Sequence, residues 1–217
     1  MAKIATSPWT RKPEEMASAR EEKRLAVLRV GAKEFREKGF EKTSLDEIAK
    51  KLGVTKPTLY YYISDKEDIV FGCGMAAADE LTAIGNSTSE TGSGLFALTE
   101  FFRRYVEIIA GDFGYCLAMI EESRLEQTRA TGLRKKKHQT NTIVQKMLER
   151  GIRDGSVVDC DTRLVSYALF GAFNWIARWH KGAPPEAGYI AEVFTTLFIN
   201  GIGTRRGAKG VQDKRRS

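Results

Sequence analysis

Apolar positions three and four residues apart mark out a series of helices along this chain. Between Ala19 and Lys38, Leu25, Leu28, Ala32 and Phe35 fall on one face, with Lys and Glu on the other, which predicts an amphipathic helix. Leu45, Ile48, Ala49 and Leu52 repeat the spacing. Ser44 followed three residues later by Glu47 predicts a capping box at the start of that second helix. Gly53 can take the left-handed conformation that ends it, and Thr55 can cap the next helix, with Pro57 tolerated in its first turn. That helix spans about Lys56 to Tyr62, with Leu59 and Ile63 directed at a core. Ser64 and Glu67 predict a second capping box, opening a helix from about Asp65 toward Ile84.

Two short helices joined this tightly must cross steeply, which is the geometry of a helix-turn-helix whose second member enters the major groove. Its side chains suit the task. Lys56 and Thr58 lie near the helix start, where base edges come within reach. Tyr60, Tyr61 and Tyr62 offer hydroxyls to phosphate and rings to sugar or a thymine methyl; the alternative is that some of these rings only fill the small core. Lys66, in the first turn of the following helix, can reach a phosphate beside backbone amides.

Downstream, the turn-rich stretch Gly85 to Gly94 predicts a linker. Helical spacing resumes over Leu95–Ala110, with Leu98, Phe101, Phe102, Tyr105 and Ile109, and over Phe113–Arg124, with Leu117 and Ile120. A long polar helix is expected over Leu125–Gly151. Its basic run, Arg134 to Lys137, points around more than one face and reads as mostly solvated, a phosphate contact being the alternative. After Asp161, a natural cap, TRLVSYALFGAFNWIARWHKG is apolar on nearly every side and predicts a helix buried all round. A break at Pro184 and Pro185 precedes a last helix, Glu186–Ile202. Two such helices need more cover than one subunit of this size offers, so a symmetric dimer with a four-helix interface is expected.

Composition agrees with a globular chain of 217 residues, 42% of them hydrophobic. The net charge of +7 sits at the two ends: residues 1–70 hold 15 Lys and Arg against 12 acids, 71–204 hold 14 against 15, and 205–217 hold 6 against 1. A basic head suits phosphate, though the excess is modest, so the motif carries the argument. The expected division is a flexible basic arm (1–18), a helix-turn-helix domain (19–66), a larger helical domain that forms the dimer (67–204) and a basic disordered tail (205–217). The arm could enter a minor groove or be an ordinary mobile terminus. No run approaches the length of a membrane span and the amino terminus does not resemble a signal peptide, so a cytoplasmic protein is expected. Cys73, Cys116 and Cys160 fit reduced thiols, one of them open to a redox role, and with only His138 and His180 no metal or cofactor site is expected. Without G-x-S-x-G, a P-loop or H-E-x-x-H, an enzyme is not expected.

The block GFEKTSLDEIAKKLGVTKPTLYYYISDKEDIV, Gly39 to Val70, closely resembles the amino-terminal domain of the TetR family of transcriptional regulators. The resemblance implies an all-α fold of about nine helices, with a three-helix DNA-binding head and a larger helical ligand-binding and dimerisation domain. It also implies double-stranded DNA and a small-molecule effector as partners, with a homodimer as the working form. Carried over by position, Thr43, Thr55, Lys56, Pro57, Thr58, Tyr60, Tyr61, Tyr62 and Lys66 face DNA, Pro57 through apolar or backbone contact only.

One polar cluster interrupts the carboxy-terminal apolar helix. Asn174 and Arg178 share a helical face, and Trp175 and Trp179 the neighbouring one. A buried arginine needs an anionic partner. Either Arg178 pairs with a local acid while the tryptophans pack, or these four surround an effector's entrance, with an apolar pocket behind formed by Phe101, Phe102, Tyr105, Ile120, Tyr167 and Phe170. FGAFNWIARWHKG resembles a phrase found in TetR members that sense acyl-CoA thioesters, with His180 standing where tyrosine is usual. The resemblance implies an acyl-CoA effector. Sensing of hydrophobic or cationic aromatic compounds, and DNA binding without any effector, stay open as alternatives.

Overall fold

The computed structural model describes residues 13–90, 92–180, 182–183 and 185–200. The expected tail, most of the expected arm, Pro184 and the end of the last helix lie outside the described residues. Among those described the chain is helical, with no strand: α1 (Pro13–Lys38), α2 (Leu45–Leu52), α3 (Lys56–Tyr60), α4 (Lys66–Thr88), α5 (Gly94–Ile109), α6 (Asp112–Met119), a 3-10 turn (Glu122–Arg124), α7 (Gln127–Arg153), α8 (Thr162–Asn174), α9 (Ile176–Trp179) and α10 (Ala187–Asn200). Trp175 alone separates α8 from α9; counted as one interrupted helix they make nine. None of the described helices is long and apolar enough to cross a membrane.

Two compact units emerge. The described residues within Met1–Thr82 and Gly111–Thr140 form the first, those within Ala83–Ala110 and Asn141–Ser217 the second. In the first, Leu28, Ala32 and Phe35 of α1 are buried as the sequence predicts, against Ile48 and Ala49 of α2, Leu59 and Ile63. The capping box forms: Glu47 N–H donates to Ser44 Oγ at 3.2 Å and Ser44 N–H to Glu47 Oε2 at 3.2 Å. Gly53, at φ 67°, ends α2 with its N–H on Lys50 O at 3.1 Å. A side chain there would be strained, since only glycine adopts this conformation without cost. Ion pairs tie α1 to its neighbours, Arg36 to Asp112 at 3.0 Å and Arg24 to Asp68 at 3.0 Å.

Local rules misplace four features. First, α1 (Pro13–Lys38) already takes in residues 13–18, which were expected to belong to the arm. Proline suits a first helical turn, where no N–H partner is needed. Second, the cap of α4 sits one residue later than predicted. Asp65 Oδ1 accepts from Asp68 N–H at 2.7 Å, while Glu67 is drawn away to accept from Glu126 N–H at 2.8 Å. Third, α4 runs through the supposed linker to Thr88. The hydroxyls of Ser87 and Thr88 each donate to Ile84 O at 2.9 Å, so residues that look turn-forming spend their polar groups along the helix. Fourth, the helix expected over 113–124 stops at Met119. Glu122, in the 3-10 turn, bonds Arg134 at 3.1 Å and Lys137 at 3.0 Å of α7. With Lys136 on Asp79 at 2.5 Å, most of the basic run is thereby paired with acids.

The second unit centres on α5, which buries one face from Gly94 to Ile109 and packs on α10. Rings of Phe102 and Phe173 stack at 4.4 Å, and Tyr105, Phe170, Phe194 and Phe198 surround them. Asp161 caps α8 as predicted, accepting from Arg163 and Leu164 N–H at 3.0 Å each. Burial all round, however, does not hold. Helix α8 buries Ser166, Leu169 and Phe173, while Leu164 is 63% exposed and Tyr167 is also exposed. On α10, Tyr189, Val193, Leu197, Phe198 and Ile199 are exposed too. One chain covers a single face of each helix.

Candidate nucleic-acid interface and ligand cavity

The turn between α2 and α3 is short because Gly53 reverses the chain and Thr55 caps α3 at once, accepting from Thr58 N–H at 3.4 Å. Backbone bonds from Tyr61 to Thr58 and from Tyr62 to Leu59 carry the helical path beyond Tyr60. Leu59 and Ile63 point inward, so Thr55, Lys56, Pro57, Thr58, Tyr60 and Tyr61 stand on the exposed side. Tyr61 is 65% exposed, and Tyr62, half-buried, meets its ring edge-on at 5.2 Å. Lys56 bonds Asp46 at 2.9 Å, and that carboxylate raises its pKa, keeping the ammonium charged. The residues that fill the small core are therefore Leu59 and Ile63, not Tyr60 or Tyr61.

Two positions assigned to DNA by resemblance turn inward. Thr43 is 2% exposed and its hydroxyl donates to Gly39 O at 2.9 Å. Lys66 donates to Phe40 O and Thr43 O, each at 3.0 Å, and sits 4.6 Å over the Phe40 ring. Thr43 closes the α1–α2 turn on itself, and Lys66 binds that turn to the start of α4. A residue absent from the sequence reading comes forward instead: Arg20 of α1 lies 5.1 Å over the exposed ring of Tyr61. Arg24, one turn on, donates to Tyr62 O at 2.9 Å.

The second unit holds a cavity of about 390 Å³. Leu95, Leu98, Thr99 and Phe102 of α5 form one wall, and Val165, Leu169 and Phe173 of α8 another. Thr195 and Phe198 of α10 and the segment Ser156–Val158 with Cys160 complete it. Among the described residues no charged side chain lines it. Its hydroxyl groups are engaged: Thr99 donates to Leu95 O at 2.8 Å, Thr195 to Ala191 O at 2.6 Å, and Ser156 accepts from Leu95 N–H at 3.1 Å. The wall is apolar, and what it can hold is apolar.

Of the expected effector residues, Phe102 alone lines this cavity. Phe101 and Tyr105 are buried beside it in the aromatic cluster, and Phe170 rests on Tyr105 at 5.5 Å. Tyr105 donates its hydroxyl to Asn174 Oδ1, and burial pushes its phenol above the ordinary range. Tyr167 is exposed beneath the Arg163 guanidinium, and Ile120 is buried in the first unit. The premise of a buried arginine is corrected: Arg178 is exposed, 5.8 Å over the Trp175 ring, with Trp175 59% and Trp179 41% exposed. The helix is interrupted at Trp175, between Asn174 at the end of α8 and Arg178 on α9. Cys73 and Cys116 are buried, and a hydrogen bond with Cys73, with burial, raises the Cys116 pKa and leaves it a thiol.

A family model described as "Bacterial regulatory proteins, tetR family" matches residues 27–73, and one described as "Tetracyclin repressor-like, C-terminal domain" matches residues 96–202. The chain belongs to the TetR family of transcriptional regulators. The HTH-type transcriptional repressor KstR2 of Mycolicibacterium smegmatis is 26% identical to this regulator over 205 residues, taking in 91% of its chain and 97% of the relative. The structure of PfmR, a TetR-family regulator of Thermus thermophilus, matches with a TM-score of 0.76 at 25% identity, over 82% of this chain and 99% of that one. AibR, solved in complex with isovaleryl coenzyme A and operator DNA, shares the fold with a TM-score of 0.71 at 18% identity, over 80% and 96%.

For this regulator, then, the exposed ridge of α3 belongs to the DNA-reading head, and the cavity to the carboxy-terminal domain. The cavity residues missed by sequence reasoning did leave a signal. Leu95, Leu98 and Phe102, like Val165, Leu169 and Phe173, follow helical spacing. An apolar stripe that lines a hole has the same pattern as one that fills a core, so spacing alone did not separate them.

Proposed function

We propose that this regulator is a ligand-responsive repressor that binds a palindromic operator as a homodimer in the cytoplasm and is released by a small-molecule effector. The observation that carries the reading is the exposed ridge Thr55–Tyr61, held outward by Leu59 and Ile63 on a capped, tightly turned helix pair. Thr55, Lys56, Pro57, Thr58, Tyr60 and Tyr61 meet base edges and phosphates, Tyr62 supports Tyr61, and Thr43 and Lys66 set the turn behind them. The uncovered apolar positions of α8 and α10 support a dimer, in which two heads read half-sites roughly 34–36 Å apart.

The 390 Å³ apolar cavity supports an effector with a hydrocarbon part. An acyl-CoA thioester fits through its acyl chain, and the exposed Arg178 offers a cation for phosphate. A neutral hydrophobic compound is the second reading, favoured by the absence of charge among the described residues lining the cavity. Effector and operator prefer different states of the dimer, so each weakens the other's binding.

The test is selection of duplexes from a random pool by the full chain, followed by binding of the Lys56→Ala and Tyr61→Ala variants. The reading expects one palindromic sequence and a loss of affinity of about 1–3 kcal/mol per variant. Recovery of no preferred sequence, or unchanged binding by both variants, ends it. A thermal-shift panel of CoA thioesters, neutral hydrophobic compounds and aromatic cations then separates the effector classes by which one stabilises the chain.

A further inference from the structure

We infer that Arg20 extends the duplex-binding surface from the helix-turn-helix onto α1, gripping a DNA phosphate beside Tyr61. The inference rests on the regulator reading above and adds a phosphate grip that the α2–α3 motif does not contain. Arg20 is exposed, and its guanidinium carbon stands 5.1 Å over the ring of Tyr61, itself on the outward ridge. Stacking of this kind uses the flat face of a guanidinium and leaves the N–H donors at its edge free to point past the ring. A planar fork of donors matches two oxygens of a phosphate diester.

The placement is built. One helical turn later on α1, Arg24 donates to Tyr62 O at 2.9 Å and pairs with Asp68 at 3.0 Å, locking this stretch of α1 to the end of the recognition helix. Neighbouring cations are spent elsewhere. Lys66 is on two backbone carbonyls and Arg129 on Asp65 at 2.7 Å. Arg20 makes no ion pair among the described residues. Glu21 and Glu22, which follow it, point to other faces of the helix and do not oppose a phosphate at this position. Tyr61 thus has two functions in one ring: its hydroxyl reaches for the backbone of DNA, and its face carries the arginine that does the same.

The experiment measures binding of the full-length chain to a wild-type-selected duplex and to a random-sequence duplex, by fluorescence anisotropy between about 50 and 200 mM salt. Arg20→Ala is expected to weaken both by about tenfold at the low-salt end. The slope of log affinity against log salt becomes shallower by about 0.9 for each phosphate that the variant no longer neutralises. Arg20→Lys is expected to keep the slope while losing part of the affinity, because a point charge replaces the fork. Melting of both variants reports whether the head is intact. Wild-type affinity and slope in Arg20→Ala overturn the inference, and so does weaker binding with an unchanged slope, which would make Arg20 a prop for Tyr61 only. A wild-type chain that binds neither duplex defeats the regulator reading itself, and Arg20's role with it.

Discussion

Glu34 is the buried carboxylate of the head, with no exposed surface, and it is met by Lys51 on one oxygen and by Lys38 at 2.9 Å on the other. The hydrogen bond from Lys51 holds its pKa below the ordinary 4.5, outweighing burial, which acts the other way, with Lys38 adding to the lowering. A carboxylate whose folded pKa is depressed stabilises the fold above its unfolded pKa and loses that contribution as pH falls through the folded value. The melting temperature should therefore drop as pH is lowered below the ordinary carboxylate value of 4.5. Glu34→Gln should cost about 1.5–3 kcal/mol at neutral pH and flatten that acid limb, as calorimetry across a pH series will show. An acid limb of unchanged steepness in the variant would contradict the assignment. Residue identity alone did not announce this: in sequence, Glu34 is one of several acids on the polar face of α1, and its two lysines lie on both sides of a turn. The Ser44–Glu47 box, three residues apart, was legible because both of its bonds are local.

Between elements, α5 and α7 come close together at Gly94. A Cβ on Gly94 would stand 2.7 Å from Met147 O and closer still to Gly151 N, backbone atoms that cannot swing away. Asp154 and Ser156, following α7, accept the first two N–H groups of α5 at 2.7 and 3.1 Å and so cap it from a distant part of the chain. Gly94→Ala should destabilise by about 1–3 kcal/mol, read as a lower midpoint in urea with an unchanged slope. A variant as stable as the wild type would show that the two helices part without cost. Sequence pattern placed Gly94 at the end of a turn-rich linker, and the same reasoning ended α4 too soon. Both errors have one cause: glycine and hydroxyl residues have the same local preferences in a loop as where helices pass close, and only the partner segment tells them apart.

At the scale of the molecule, Val193 and Leu197 share a face of α10, and both are exposed, as are Leu164 and Tyr167 on α8. Single apolar residues at a surface need no explanation, but a face of this kind on two helices is what the proposed dimer would cover. Val193→Glu with Leu197→Glu, neither of which lines the cavity, should turn the dimer into a monomer by light scattering and abolish tight operator binding, since one head holds half a palindrome. A double variant that stays dimeric would place the interface elsewhere.

By itself the sequence determined the helices, most of their caps, the inward turn of Leu59 and Ile63, and hence the outward ridge proposed to read DNA. All of these depend on residues within about four positions of one another, where backbone geometry leaves few choices. Tertiary structure decided which cations are free and which are spent, as with Arg20, Lys66 and Arg178. It also decided whether an apolar stripe fills a core, lines a cavity or waits for a second chain. Those outcomes hang on which distant segments come together, and one linear pattern is compatible with several of them.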